Sequence, residues 1–281
     1  MTNPWQIMTQ HDGAAMDDRK ETGPARFQVA LKRELIWRAI QSHLPKERTT
    51  AILDLGGGTG VWAVRLAQEG YRVLLTDISP GLLAQARKRV QALDLAELVQ
   101  IEEADVCDLS PYAEAAFPLV LALGDPLSYC NDARRALQEV RRVAATDGAL
   151  IADVENRYRA ALSKRRAATW ADARRILSEG VARWPDPSNP APMRQFTPSE
   201  LRELLVETGW QVQAMYPSDL LASVVSEEML QDGLSTSSGF QDAIAMETQL
   251  REDESLLGSG SELQFVALKD SPESTPPQRA T

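Results

Sequence analysis

Cysteine and histidine are scarce in this sequence, and their scarcity excludes several kinds of protein. The 281 residues include two cysteines, Cys107 and Cys130, which are too few for a disulfide framework and match no zinc-ligand spacing. No metal site is therefore expected, and a reduced, cytoplasmic location is the simple interpretation. The two histidines, His11 and His43, both precede the glycine-rich motif GGGTG. We expect His43 to be structural and keep His11 as a remote active-site candidate.

The sequence also lacks a long apolar run and an excess of positive charge. No run is long enough to span a bilayer, and the start, MTNPWQIMTQHDG, lacks the basic and apolar regions of a signal peptide, so no membrane partner is expected. A net charge of −10 argues against non-specific nucleic-acid binding. Residues 157–184, however, hold eight bases and two acids, a local charge of +6. That segment fits an anionic substrate or, alternatively, a solvated arginine-rich helix face.

Short apolar runs alternate regularly with helical patterns along most of the chain. A helix is predicted over 27–44, strands over 51–55, 71–76, 98–102, 119–123 and 149–154, helices over 60–69, 80–93 and 132–143, and a less clear segment near 111–116. This alternation predicts βαβ units and a parallel sheet. A capped helix at 198–207 and strands at 210–216 and 262–269 follow. We therefore predict a doubly wound α/β fold of seven mostly parallel strands, with the last strand antiparallel.

The composition divides the chain into one domain with polar ends. Residues 27–269 form the predicted domain, after a flexible segment, 1–26, and before a disordered tail, 270–281. After the fifth strand, residues 157–197 contain an arginine-rich helix and the stretch WPDPSNPAP, which predicts an extended linker. We expect a helical, basic insertion that caps a substrate site. A monomer and a homodimer are both compatible with this organisation.

A predicted strand, AILDL, runs directly into GGGTG, and a helix begins at once. Glycines let a ligand approach the backbone, and the start of the helix adds free N–H groups and partial positive charge. Asp77 closes the second strand, seventeen residues after Gly60, where a carboxylate can accept hydrogen bonds from both ribose hydroxyls. The segment from Asp54 to Gly60 is therefore predicted to bind a nucleotide-like cofactor.

Two cofactors fit this turn. Gly58, Gly60 and Ala63 also match the G-x-G-x-x-A dinucleotide motif, so an NAD-dependent oxidoreductase or a non-catalytic nucleotide binder is one hypothesis. Three features favour S-adenosylmethionine (SAM). Asp54 adds negative charge where a pyrophosphate would lie but helps to hold a methionine ammonium, and Asp105 is placed to accept from an adenine amino group. The two-strand ending differs from a second mononucleotide-binding half.

Seven motifs occur in the order that is typical of class I SAM-dependent methyltransferases, and they span most of residues 27–269. They are LDLGGGTG (53–60), LLTDISP (74–80), EADV (103–106), FPLVLALGDPLSY (117–129), DGALIADVENRY (147–158), FTPSELRELLVETGWQV (196–212) and ELQFVALK (262–269). The sequence resembles that family, which implies a Rossmann-like fold, SAM as cofactor and methyl transfer.

The resemblance also implies a set of cofactor-binding residues. The methionine part of SAM is expected on Asp54, Gly56, Gly57, Gly58 and Gly60, the ribose on Asp77, the adenine on Ile78, Asp105 and Val106, and the methyl-donor pocket beside Leu123 and Gly124. For Ile78 and Val106, ordinary core packing is the alternative.

A closer similarity is to the bacterial tRNA carboxymethoxyuridine methyltransferases, through LKRELIW (31–37), ETGWQV and AIAMETQL. In that family a basic residue on the first helix reaches the cofactor carboxylate, which implies the same role for Lys32. The family has arginine there, and lysine lacks its bidentate fork. A solvated helix position is the alternative for Lys32.

Methyl transfer from a sulfonium is an in-line displacement that positioning alone can promote, and a base is needed only when the nucleophile must lose a proton. The loop GDPLSY departs from the D/N-P-P-Y/F motif of amino methyltransferases at Leu127. Asp125 is a candidate base or substrate contact and Tyr129 a candidate positioning residue, with a turn or packing role as the alternative for each. Further candidates beside the same cleft are Glu155, Asn156, Arg157, Tyr158 and Arg159.

The leading hypothesis is a SAM-dependent methyltransferase that acts on a small-molecule acceptor under the 157–197 insertion. The second is a tRNA wobble-uridine carboxyl methyltransferase, which the basic insertion and the closer similarity favour. The nicotinamide enzyme or nucleotide binder is the third.

Overall fold

The computed structural model describes residues 24–163, 166–183, 192–221 and 224–269. The strands are β1 (Ile52–Leu55), β2 (Val73–Asp77), β3 (Val99–Glu103), β4 (Phe117–Ala122), β5 (Ala144–Glu155), β6 (Val181–Arg183), β7 (Pro192–Arg194), β8 (Trp210–Pro217) and β9 (Glu262–Lys269). The α-helices are α1 (Pro24–Gln41), α2 (Val61–Gln68), α3 (Pro80–Ala92), α4 (Pro126–Tyr129), α5 (Ala133–Val143), α6 (Arg157–Ala161), α7 (Trp170–Glu179), α8 (Pro198–Glu207), α9 (Glu227–Ser235) and α10 (Ser237–Arg251).

Seven of these strands form one sheet, in the order β3-β2-β1-β4-β5-β9-β8. The first five in that order pair in parallel. β9 pairs antiparallel with β5 on one side and with β8 on the other. The predicted fold class, with its antiparallel last strand, is thus confirmed. Because parallel strands end at the same edge, the ends of β1, β2, β4 and β5 come together there.

Helices cover both faces of the sheet, which explains why the central strands are continuously apolar. Alternate residues of β4 enter different cores: Val120 packs with α5 and α8 on one face, whereas Leu121 packs with α1, α2 and α3 on the other. Both side chains are fully buried. Burial of an aliphatic side chain of this size contributes about 1.5–3 kcal/mol, so these two cores fix the sheet.

A third, smaller core holds α1 against the C-terminal helices. Phe27 and Leu31 of α1 pack with Leu221, Leu230 and Ile244. The ring of Phe27 also meets that of Phe240 edge to face, with 6.5 Å between centroids. This packing places the middle of α1 beside the first residue of β9, and that position matters for the site.

Local sequence signals set the helix ends as expected. Thr197 and Glu200 form a reciprocal capping box at the start of α8. Ser79 caps α3, where its side chain accepts from the Leu82 N–H and Pro80 occupies the first turn.

The structure departs from the predicted elements in four places. α1 begins and ends three residues earlier than predicted, and β5 begins at Ala144 rather than at 149. The insertion is not purely helical, since β6 and β7 form an antiparallel hairpin within it. Residues 126–129 form a short helix that was not predicted. Residues 184–191 of the predicted linker, 1–23 and the tail lie outside the described residues. In the described part of the chain, no helix is long and apolar enough to cross a membrane.

Candidate active site

The glycine turn after β1 is crowded so tightly that two of its positions admit no side chain. Gly56 has a φ of +67°, and a Cβ built on it would lie 2.8 Å from Pro126 Cβ. A Cβ on Gly57 would lie 2.6 Å from Asp54 Oδ2. The absence of side chains leaves the backbone of the turn open to a ligand.

Asp54 is fully buried beneath this turn. Its Oδ2 accepts a hydrogen bond from the Ala63 N–H at 3.1 Å, while its Oδ1 has no partner in the described structure. Burial raises the pKa of Asp54 to about 7, the Ala63 hydrogen bond opposes this rise, and Asp77 adds to it. A buried acceptor without a partner suits a nearby ammonium and would repel a pyrophosphate, so Asp54 fits SAM better than NAD.

Asp77 ties the end of β2 to the turn. Its Oδ2 accepts from the Gly58 N–H at 2.9 Å and its Oδ1 from the Ser79 N–H at 2.8 Å. Burial raises its pKa, and these backbone hydrogen bonds oppose the rise. Each carboxylate oxygen has a second lone pair, which leaves Asp77 able to accept from ribose hydroxyls.

Asp77 lines a narrow cleft at the ends of the parallel strands, and that cleft is here called the cofactor cleft. Its lining residues are Gly56, Asp77, Ile78, Asp105, Val106, Gly124, Pro126 and Cys130. Six of these eight were predicted from the sequence as cofactor-binding residues. The structure therefore brings the expected ribose and adenine positions together in one cleft.

Four of the other predicted cofactor residues are close in the chain to this lining but do not belong to it. Gly57, Gly58 and Gly60 belong to the same turn, and Leu123 is buried at the end of β4. Asp105 accepts the Cys107 N–H at 2.9 Å, which fixes the turn after β3.

Lys32 belongs to a charged cluster near the ends of β4 and β5 and the start of β9. Its Nζ contacts Glu262, with which it forms an ion pair, and lies 3.4 Å from Asp153 Oδ2. Burial lowers the pKa of Lys32, but Glu262 and then Asp153 raise it well above its ordinary value. Asp153 Oδ1 in turn accepts from the N–H groups of Gly124, at 2.7 Å, and Asp125, at 2.9 Å. This chain of contacts joins Lys32 to the edge of the cofactor cleft.

Asp125 has an unusual backbone conformation and an unsatisfied carboxyl group. Its φ is +65°, a region that few residues other than glycine adopt. It is 7% exposed, and its Oδ1 has no hydrogen-bond partner in the described structure. Burial, followed by the charge of Glu262, raises its pKa well above the ordinary value. Strain and an unpartnered buried oxygen at one residue are typical of functional sites.

Tyr129, the other predicted catalytic residue, is buried near Asp125. Burial, and then the charge of Asp125, raise its pKa well above the ordinary value, so its hydroxyl stays protonated. It lies in the same electrostatic environment as Glu155 and Arg166. The structure thus brings Asp125 and Tyr129 close to each other, as the loop GDPLSY indicated.

A second, larger cavity of about 330 Å³ borders this charged cluster through Glu155 and Glu262, and it is here called the acceptor cavity. Its lining residues are Gln28, Glu155, Arg159, Ala160, Ser163, Arg166, Asp219, Ser261 and Glu262. Arg166 Nη2 lies 2.6 Å from Glu155 Oε1. Burial raises the pKa of Glu155, and it raises the pKa of Glu262 to about 8 despite Lys32. The cavity combines contributions from α1, α6, the end of β5 and the start of β9.

Two of the predicted candidates, Asn156 and Arg157, make contacts that stabilise the fold. The side chain of Asn156 donates to the Leu257 and Gly260 carbonyls, which holds the loop before β9. Arg157 pairs with Glu200 at 2.7 Å and also donates to a backbone carbonyl. These bonds assemble the insertion on the domain.

Two more candidates lie outside both cavities. Tyr158 is largely exposed at 43%. His43 caps the end of α1 through the Ala39 carbonyl and contacts Gln213, in accord with its predicted structural role. His11 lies outside the described residues.

Sequence reasoning missed three acids of the charged cluster: Asp153, Asp219 and Glu262. Asp153 follows a run of apolar residues in β5, and a carboxylate in a buried strand is a signal that was available. Asp219 and Glu262 had no comparable signal, because only the pairing of β9 with β5 and β8 brings them to the end of β5.

Comparison with known proteins agrees with this geometry. The model of a family described as "Methyltransferase domain" matches residues 52–148, from β1 into β5. A glycine/sarcosine N-methyltransferase from Parasynechococcus marenigrum is 32% identical over 116 residues, which are 40% of each chain. A tRNA 5-carboxymethoxyuridine methyltransferase from Escherichia coli is 23% identical over 184 residues, 65% of this chain and 68% of that one.

The chain spans about two fifths of the length of the first two curated relatives it matches, 40% in one and 43% in the other.

Solved structures show the same fold at low identity. A SAM-dependent methyltransferase described as putative, from Listeria monocytogenes, superposes with a TM-score of 0.60 at 17% identity, covering 86% of this chain and all of that one. A geranyl diphosphate methyltransferase in complex with geranyl diphosphate and sinefungin gives 0.58 at 16% identity, covering 92% and 87%. A [4+2]-cyclase, SpnF, gives 0.56 at 21% identity, covering 89% and 84%. Since a cyclase shares the fold, the fold alone does not specify the reaction.

The match of residues 52–148 to the methyltransferase-domain model, together with the sheet order and the glycine turn, confirms the resemblance of this chain to the class I SAM-dependent methyltransferases, which are transferases. The cofactor of that class is SAM. The family and the cofactor predicted from the sequence are confirmed, and SAM is favoured over the nicotinamide alternative.

Proposed function

We propose that this protein methylates a small-molecule acceptor, which binds in the acceptor cavity while SAM binds in the cofactor cleft. The observation that carries the proposal is a chain of contacts that runs from Gly124 and Asp125 to the wall of the acceptor cavity. Gly124 lines the cofactor cleft, and Asp153 links both residues to Lys32 and hence to Glu262 in the wall of the acceptor cavity. A cavity volume of about 330 Å³ is at the lower end of the range of sites for small ligands.

The residues of the chain supply orientation and a dry environment. When bound, SAM supplies an electrophilic methyl group. Asp77 and Asp105 are positioned to hold the nucleoside part, and the glycine turn with Asp54 to hold the methionine part. α6 and the adjoining residues of the insertion form one wall of the acceptor cavity, which excludes water from the reacting atoms. Positioning of this kind supplies much of the rate of an in-line displacement.

A direct test uses labelled SAM with a fractionated cell extract. We expect label to enter a low-molecular-weight fraction, and titration with S-adenosylhomocysteine to give saturable binding. Absence of S-adenosylhomocysteine binding by calorimetry would contradict the proposal.

A tRNA substrate is the second candidate, because the similarity to the E. coli tRNA methyltransferase covers 65% of this chain. Against it, the acceptor cavity has acids in its wall, which oppose a polyanion. Binding to bulk tRNA that weakens steeply between 50 and 200 mM salt would favour this candidate. No retention of tRNA at the lower salt concentration would count against it.

A further inference from the structure

The two cysteines of the chain meet beside the cofactor cleft. Cys107 lies in the turn after β3, and Cys130 directly follows α4. Both side chains are partly exposed, both pack against the core that α5 and α8 cover, and their thiols form a hydrogen bond with each other. Cys107 Sγ also contacts the Asp132 carbonyl at 3.4 Å, and Cys130 Sγ contacts the Leu127 carbonyl at 3.5 Å. The fold thus places the two thiols within reach of one another and of a small reagent in solution.

Both segments that carry these thiols contribute to the wall of the cofactor cleft. Cys130 lines the cleft directly, and so does Val106, the residue before Cys107. The Cys107 N–H donates to Asp105 Oδ1 at 2.9 Å, so Cys107 is tied to the carboxylate that is predicted to accept from the adenine. A displacement of either cysteine therefore changes the wall against which we expect the adenine to lie.

The surroundings of the two sulfur atoms make them chemically unequal. The hydrogen bond from the Cys130 thiol lowers the pKa of Cys107, although burial opposes this effect. The carboxylates of Asp105 and Asp132 also oppose it, whereas a backbone hydrogen bond at Asp132 adds to it. The hydrogen bond between the thiols, together with burial, raises the pKa of Cys130. Because the thiolate is the nucleophile in thiol–disulfide exchange, Cys107 is suited to attack first and Cys130 to attack second.

We propose that Cys107 and Cys130 form a reversible disulfide bond by exchange with a low-molecular-weight disulfide, and that this bond narrows the cofactor cleft and weakens cofactor binding. The pair is then a modification site that controls access of SAM to the protein. The proposal concerns the cofactor side of the molecule and does not depend on which acceptor is methylated.

The exchange is balanced by the reagent alone. The Cys107 thiolate attacks one sulfur of the small disulfide, whose S–S bond breaks, and one thiolate leaves. The Cys130 sulfur then attacks the Cys107 sulfur of this mixed disulfide, and the second thiolate leaves. The protons of the two cysteines pass to the two released thiolates. The cysteines are oxidised to one disulfide, and the reagent is reduced to two thiols.

Formation of the bond must move the wall of the cleft. The two sulfur atoms pass from hydrogen-bonding contact to a covalent bond of about 2 Å, which draws the turn after β3 toward the end of α4. Val106 and Cys130 line the same narrow cleft, so the space between these segments shrinks. Asp105 shifts with Cys107 because of the hydrogen bond that joins them. The adenine then loses part of its space and the alignment of its hydrogen-bond acceptor.

Equilibration of the full-length protein in a glutathione redox buffer tests both parts of the proposal. Peptide mass mapping under non-reducing conditions locates the bond, and calorimetry measures the affinity for S-adenosylhomocysteine. We expect an intramolecular Cys107–Cys130 disulfide and roughly tenfold weaker binding, the effect of losing about one hydrogen bond to the cofactor. Dithiothreitol should restore the affinity in full. By linkage, saturating S-adenosylhomocysteine should shift the equilibrium toward the two thiols by the same factor.

Two variants separate the bond from other effects of oxidation. Cys107→Ser should bind S-adenosylhomocysteine as the reduced wild type does, which also shows that it folds, and oxidised glutathione should not change its affinity. Cys130→Ser should accumulate a mixed disulfide with glutathione on Cys107, because the second attack is blocked. Three results would overturn the proposal: a Cys107–Cys130 bond that leaves the affinity unchanged, an equal loss of affinity in oxidised Cys107→Ser, or a wild type that forms only glutathione adducts or intermolecular bonds.

Discussion

Replacement of Asp54 by asparagine should make the stability of the protein less dependent on pH. The pKa of Asp54 is about 7 in the folded protein, against 3.8 ordinarily, chiefly because the carboxyl group is buried. The folded state therefore binds the proton more tightly than the unfolded state. Stability from this group is lost as the pH rises through about 7, and it is regained as the pH falls.

The size of the effect depends on how far the pH of the solution lies below the pKa of Asp54 in the folded protein. At pH 5.5 the solution is about 1.5 units below the folded pKa, and each unit is equivalent to about 1.4 kcal/mol. Between pH 8.5 and 5.5, the free energy of unfolding of the wild type should rise by about 2 kcal/mol relative to that of Asp54→Asn. Asp94→Asn, at an exposed aspartate after α3, removes the same charge and serves as the control.

Urea denaturation at the two pH values measures this difference, and calorimetry with S-adenosylhomocysteine measures its link to the cofactor. If the ionised carboxylate helps to hold the cofactor ammonium, wild-type affinity should fall by up to tenfold per pH unit below about pH 7. The variant should bind more weakly and with less pH dependence. A wild-type affinity that is independent of pH from 6 to 8, or equal pH dependence of stability in both proteins, would refute the reasoning.

Three further substitutions test the surrounding structure. Gly57→Ala puts a methyl group 2.6 Å from the carboxylate of Asp54 and should cost about 1–3 kcal/mol in stability by denaturation, with at least tenfold weaker S-adenosylhomocysteine binding by calorimetry. Trp210→Phe removes the indole N–H that donates to the Leu137 carbonyl at 3.2 Å, so it should lower Tm by several degrees and leave cofactor affinity unchanged. Glu247→Gln removes one of two acceptors for backbone N–H groups before α9 and should destabilise by about 1–3 kcal/mol; no change in denaturation midpoint would contradict its structural role.

The cofactor half could be predicted from the sequence because its signals are local. The glycine turn, the acid at the end of β2 and the acid after β3 each follow a strand directly, and parallel strands bring such ends to one edge. The strand alternation and the two-strand ending were enough to predict the position of β9. The β6–β7 hairpin was missed because each strand has three residues and the segment between them is rich in proline.

The acceptor side could not be assembled in the same way. Asp219 and Glu262 carry no motif, and they reach Lys32 only through the packing of α1 on α10 and the pairing of β9. Asp125 and Tyr129 were recognised from their loop, but the unsatisfied oxygen of Asp125 depends on distant neighbours. When a site is built from segments that are far apart in the chain, only the tertiary structure shows which charged side chains meet there.

Because β9 comes from the end of the chain, the cofactor half and the acceptor side of the molecule should differ in when they fold and in how substitutions affect them. Contacts that form the cofactor cleft join segments close together in the chain, whereas Glu155 and Glu262 meet only after more than a hundred intervening residues have been placed. Closure of so long a loop is slow, so we expect the glycine turn to be ordered before the acceptor cavity exists during folding. The same separation allows substitutions around β9 and the insertion to alter acceptor preference while the cofactor half keeps its shape.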